Sequence, residues 1–191
     1  MSKFKMQSLL LATAWTLTFQ SSAHAADSVE YRILATSKTS TMEKELNEAA
    51  AAGYRFGKTM GGKSANGGQE VIVVMLKDGP AQPVRQYKLL ATTRTSTMQK
   101  ELQQAARQGY SYAGQTVFET AFAGREVVVI MERDPAKTDV PSSYRLLATT
   151  KTSTMQTELQ DAGDQGYALV GLTVSKTELG GDEVIAILAR N

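Results

Sequence analysis

The chain has 191 residues, 42% of them hydrophobic, and carries 21 basic against 19 acidic side chains, a net charge of +2. That near-balance argues against a nucleic-acid binder driven by counterion release, which carries a larger basic excess. There is no cysteine, which removes disulfides, thiolate nucleophiles, Cys–zinc sites and iron–sulfur clusters, and the one histidine, His24, and one tryptophan, Trp15, both lie within the first 25 residues.

Those 25 residues read as a targeting segment. Lys3 and Lys5 form a short positive region, Leu9 to Phe19 is an uncharged apolar stretch, and Ala23-His24-Ala25 has the small-x-small form of a cleavage site. The apolar stretch is too short to span a bilayer, which needs about 20 residues. Residues 1–25 are therefore expected to be a signal peptide, with the mature chain starting at Ala26 in the periplasm or outside the cell. No Cys follows to take a lipid, and no stable membrane insertion is expected after cleavage. Loss of Lys3 and Lys5 leaves 19 basic residues against 19 acidic ones, with no His, Cys or Trp.

The rest is three copies of one 47-residue unit, spanning 31–77, 87–133 and 144–190. They align without a gap, so Tyr31, Tyr87 and Tyr144 are equivalent, as are Gly53, Gly109 and Gly166. The linkers, 78–86 and 134–143, hold all four prolines, which strands and helices tolerate poorly.

Each unit opens with an alternating strand, Tyr31 to Thr36 in the first. Ser40-x-x-Glu43, Ser96-x-x-Gln99 and Ser153-x-x-Gln156 have the form of capping boxes at a helix start. Met42, Leu46, Ala49 and Ala50 then recur at helical spacing, and Gly53 ends the helix with Tyr54 folded back on its last turn. Two strands follow. In the third copy they run from about Tyr167 to Lys176 and from Glu183 to Ala189, joined by a turn at Gly180-Gly181. In the first copy Gly61 to Gln69 reads as a looser, Gly-rich connection. The last strand, Val71 to Leu76 and likewise Val127 to Met131, is apolar on both faces, as suits a central strand.

The expected fold class is thus α+β: three tandem β-α-β-β repeats, each a three-stranded sheet with one helix, the last strand lying between the first two. One helix covers only one sheet face, and a unit this small is marginal alone. Packing of the three sheets with pseudo-threefold symmetry is the simplest way to cover the rest; a linear array, or a continuous sheet formed through edge pairing, is the alternative.

Each unit has an initial aromatic (Tyr31, Tyr87, Tyr144), a helix of Glu-Leu type (Glu45-Leu46, Glu101-Leu102, Glu158-Leu159) ending in Gly-Tyr, and a last strand ending in a base (Lys77, Arg133, Arg190). This pattern resembles a family of small bacterial strand–helix–strand–strand domains of unknown function. That family usually has Trp after the Gly, where this chain has Tyr. The resemblance implies a fold and carries no activity or catalytic residue.

One motif stands out as a candidate site. Thr39-Ser40-Thr41-Met42 recurs unchanged in all three copies, each time after a cation. A structural reading makes it a helix start that buries its Met. A functional reading makes it an anion site, with Lys38, Ser40 and Thr41, then Arg94, Ser96 and Thr97, then Lys151, Ser153 and Thr154 supplying charge and donors at helix N-termini. Glu43 weakens the first of these. No His remains to activate a hydroxyl, no Lys base has a signature, and Gly61-Gly62-Lys63-Ser64 lacks the frame of a phosphate loop. The sequence therefore favours a non-enzymatic exported binding module whose partner is an unknown protein, without cofactor or metal and without nucleic acid. A binder of small anionic ligands or acidic glycans at the T-S-T-M loops is the second reading, and an enzyme of unknown class the third.

Overall fold

The computed structural model of the protein describes residues 28–63, 68–80, 82–120, 124–176 and 181–191. The expected signal peptide, Ser64 and Gly180 lie outside them. Twelve elements follow in order: β1 (Glu30–Thr36), α1 (Thr39–Ala51), β2 (Arg55–Lys63), β3 (Gln69–Lys77); β4 (Gln86–Thr92), α2 (Thr95–Arg107), β5 (Ser111–Thr120), β6 (Gly124–Arg133); β7 (Ser143–Thr149), α3 (Thr152–Asp164), β8 (Ala168–Lys176) and β9 (Asp182–Arg190). The three sheets have the orders β1-β3-β2, β4-β6-β5 and β7-β9-β8, all neighbours antiparallel. Each copy is therefore a three-stranded sheet with one helix, and its last strand is central.

The helix ends follow the Gly-Tyr signal. Gly53, Gly109 and Gly166 have φ of 88°, 79° and 80°, a region glycine enters without steric cost. The Gly53 and Tyr54 amides donate back to the Ala50 and Ala49 carbonyls, and the other two helices close in the same way. Each Tyr ring then lies between two bases. Arg32 and Lys77 flank Tyr54, Lys88 and Arg133 flank Tyr110, and Arg145 and Arg190 flank Tyr167. The terminal base of each last strand thus works as a cation over the helix-end aromatic.

The helix starts differ from the capping-box expectation. The residue before each helix is the cation, Lys38, Arg94 or Lys151, in extended conformation and with no side-chain cap. Ser40, Ser96 and Ser153 are the second residue of each helix, two positions too late to cap it. Thr36, Thr92 and Thr149 instead accept from the Lys38, Arg94 and Lys151 amides and set the turn into the helix.

The units do not close into a threefold arrangement. Helix α1 packs on β4 and β2 on β5; α2 packs on β7 and β5 on β8. Among the described residues no matching α3–β1 packing returns the third unit to the first. The order is an open head-to-tail array, because α1 and α2 are each sandwiched between their own sheet and the next. Met42, Leu46 and Val73 share one core with Val128 and Ile130 of the second unit, and Met98, Leu102 and Val129 share another with Ile185 and Ile187 of the third.

The connection expected at Gly61 to Gln69 is shorter, because β2 runs through Gly61 and Gly62 to Lys63, paired with β3. Gly61 sits where the second unit crosses it: a Cβ there would lie 2.0 Å from the Val117 carbonyl oxygen, whereas one on Gly62 meets nothing within 4 Å. Gly61→Ala should therefore force the two units apart and cost about 1–3 kcal/mol. Gly62→Ala should be close to neutral. Thermal unfolding of the two variants checks this, and equal midpoints would remove the steric reading of Gly61.

Candidate functional site

The T-S-T-M residues occupy equivalent places in three separate units, so the array does not gather them into one site. Lys38, Ser40, Arg94, Ser96, Lys151, Ser153 and Thr154 are exposed, while Thr41 and Thr97 are half-buried. The methionines of the motif are core: Met42, Met98 and Met155 are all buried. Around the first loop the surroundings are acidic. Thr39 and Ser40 share a cleft with Glu43 and with Glu101 of the second unit. Burial raises the Glu101 carboxyl above its ordinary range, and its Oε2 is buried without a hydrogen-bond partner. A second carboxylate therefore joins Glu43 in opposing an anion there.

The residues expected to complete capping boxes have another task. Strand β4 is a sheet edge, with backbone groups turned outward, and α1 satisfies them with side chains. The Leu89 amide donates to Glu43 Oε2 at 2.8 Å, the Tyr87 amide donates to Asn47 Oδ1 at 2.9 Å, and Asn47 Nδ2 donates to the Tyr87 carbonyl at 2.9 Å. The second joint repeats the arrangement. The Leu146 amide donates to Gln99 Oε1 at 2.7 Å, and Gln99 Nε2 donates to the Tyr144 carbonyl at 2.8 Å. Gln103 accepts from the Tyr144 amide at 3.3 Å and donates to the Ser142 carbonyl at 3.2 Å. Helices α1 and α2 thus each stand in for a missing neighbouring strand.

The opening tyrosines lock the same joints. The Phe56 amide donates to the Tyr87 phenol at 2.8 Å and the Tyr112 amide to the Tyr144 phenol at 2.7 Å, each at a β-bulge. Tyr87 passes its own proton toward Glu132 Oε2 at 2.7 Å. Burial is the first cause raising the Tyr87 phenol well above the ordinary range, and it raises the Tyr144 phenol as well. Ring positions are set by glycines: Phe56 lies against Gly114 and Tyr112 against Gly171.

The two ends of the array lack these partners. Tyr31 is 68% exposed, whereas Tyr87 and Tyr144 are each 3% exposed. Burial alternates along β3, yet Val127 to Met131 and Ile185 to Ala189 are buried without interruption. One end is thus the outer face of the first sheet, with Tyr31, Ile33 and Met60 exposed; the other is the α3 side of the third sheet, with Leu169, Leu172 and Val174 exposed. Beside them Gln156 and Gln160, equivalent to Gln99 and Gln103, are exposed.

Sequence reasoning found the helix starts and missed these end faces. A signal existed in the copy-to-copy differences. Leu172 stands where the other copies have Thr59 and Gln115, and Met60 stands where they have Thr116 and Thr173. Among the described residues no group of three or more His, Asp or Glu could hold a metal, and no helix is long and apolar enough to cross a membrane. Comparison with family models, with curated proteins and with solved structures found no match.

The state of Glu101 has a measurable consequence. A carboxyl raised by burial costs nothing below its unfolded-state pKa of about 4, where it is protonated in both states, and that stability is lost as pH rises through the higher folded-state pKa. Glu101→Gln should therefore stabilise the protein at pH 7, by less than about 1 kcal/mol because the group is partly solvated, and the gain should vanish near pH 4. Paired thermal melts across that range decide it, and a gain independent of pH would rule the carboxylate out as its source.

Proposed function

We propose that the protein is an exported, non-enzymatic interaction module that engages a protein partner through the ends of its three-unit array. One observation carries this reading. Apart from Val29 and Val84, the large apolar side chains exposed among the described residues fall on the two end faces or, for Val170, at the bulge beside one of them. Exposed apolar surface gathered in this way marks an interaction site, whereas isolated apolar residues do not. Glu43, Asn47, Gln99 and Gln103 are already engaged at the internal joints, and the balanced charge suits contact with protein. The resemblance to small bacterial β-α-β-β domains agrees with the unit architecture and adds no activity.

The test is photo-crosslinking in the native compartment. A photo-reactive residue at position 33 or 172 should yield protein adducts, on a chain whose intact mass begins at Ala26. The same group at Lys44 or Lys100, exposed on the helices, should not. Absence of adducts from both ends would reject the proposal.

Anion binding at the helix starts is a second reading. It is favoured by the cation that precedes each helix where a side-chain cap is absent. Sulfate or phosphate should then raise the unfolding midpoint at matched ionic strength. The gain should shrink in an Arg94→Ala/Lys151→Ala variant and persist in Lys38→Ala, whose site already faces Glu43 and Glu101. Equal stabilisation of the wild type and the double variant would end this reading.

A further inference from the structure

We infer that the partner at each end is a second copy of this chain, joined head to tail so that α3 and β8 of one molecule cover the outer face of the first sheet of the next. The inference rests on the interaction-module reading and names its partner. Both surfaces needed for such a joint are present, one at each end, and the molecule already contains two examples of the joint between them.

The polar half of the joint is preserved residue by residue. Gln156 and Gln160 are the same residue types, at the same helix positions, as Gln99 and Gln103. Tyr31 matches Tyr144, and Ile33 takes the place of Leu146. Strand β1 pairs with β3 in the register by which β7 pairs with β9, so Tyr31 faces Leu76 as Tyr144 faces Ala189. The outward amide and carbonyl positions of β1 therefore match those that Gln99 and Gln103 engage on β7. In the new joint Gln156 would bridge the Ile33 amide and the Tyr31 carbonyl, and Gln160 would accept from the Tyr31 amide. The Tyr31 phenol would accept from the Leu169 amide, as those of Tyr87 and Tyr144 accept from Phe56 and Tyr112. Gln160 now bonds Asp164 on its own helix, an exposed contact that is readily exchanged.

The apolar half is adapted to the joint. Where the internal joints set an aromatic ring on a glycine, the ends offer the smaller Leu169 and the larger Lys58, whose stem lies at the position of Gly114 and Gly171. Leu172 replaces Thr59 and Gln115, and Met60 replaces Thr116 and Thr173, so both new faces gain apolar surface. Repeat arrays that terminate in water do the opposite and carry polar outer faces on their end units. A joint between unlike faces is heterologous; it builds a ring if the rotation closes and a filament if it does not.

Sedimentation velocity of the purified full-length exported chain tests this with two blocked variants, Ile33→Glu for the first-sheet face and Leu172→Glu for the α3 face. The wild type should form a ring or a series of oligomers that grows with concentration. Each variant alone should be monomeric with an unchanged unfolding midpoint, since both residues are exposed. Mixed together they should form a 1:1 dimer that grows no further, because one complementary pair of faces remains. Gln160→Ala, a milder change, should weaken association about tenfold, or about 1.4 kcal/mol. A monomeric wild type, a variant that still dimerises with itself, or a mixture that stays monomeric would each overturn the inference. If the purified chain is monomeric while positions 33 and 172 still crosslink a different protein in the native compartment, self-assembly fails and the interaction-module reading stands.

Discussion

Each sheet of this protein has two apolar faces and one helix to cover them, and the architecture follows from that shortage. Val127 to Met131 alternate between the two faces of β6, and all five are buried. Their own helix, α2, covers Val127, Val129 and Met131, while Val128 and Ile130 join the core of the first unit. A unit that borrows cover from its predecessor and lends cover to its successor has direction. Three such units leave one face uncovered at the start and another at the end.

Polar side chains reinforce this direction. A three-stranded sheet has two edges, and an open edge carries unpaired backbone groups that invite pairing with another chain. Glu43, Asn47, Gln99 and Gln103 meet this need from the helices, using carboxylate and carboxamide groups where a fourth strand would use backbone. Removing such a side chain at an internal joint would leave backbone groups desolvated, a cost of about 1–3 kcal/mol each. The tyrosines at the start of the second and third units, Tyr87 and Tyr144, add a third contact by accepting the amide that a β-bulge frees from its ladder.

Local features were legible because local chemistry determines them. The gap-free repeats, Gly-Tyr helix ends, central position of the third strand and buried methionines all follow from short-range pattern. The joints were not legible, since they depend on residues about 40 positions apart. Ser40-x-x-Glu43 has the form of a capping box, yet Lys38 precedes the helix and Glu43 is engaged by Leu89 of the next unit. Gly61 resembles a loop residue in isolation; only the passage of Val117 beside it gives a reason for the missing Cβ. A closed trimer and an open array also satisfy the same alternation. What separates them is the contrast between Tyr31 and its two buried equivalents, which appears only once the units are placed.

In the proposed assembly, the differences between internal and terminal joints follow from how each pair of faces is brought together. Within the chain, linkers of nine or ten residues hold successive units at high effective concentration, so a shared core rimmed by hydrogen bonds and a ring on a glycine is sufficient. Between molecules no linker exists, and association must also overcome the loss of translational and rotational freedom. Additional apolar burial is the available compensation, at about 25 cal/mol per Å². That is the direction of the changes at the ends: Thr59 and Gln115 give way to Leu172, and Thr116 and Thr173 give way to Met60. The internal joint even retains a buried Gln115 whose Oε1 and Nε2 lack hydrogen-bond partners, a defect that a tethered interface tolerates and that Leu172 removes from the untethered one. In the proposed assembly the same contact is thus made in two versions, one with more polar residues around its shared core where the chain itself supplies proximity, and a more apolar one where solution must.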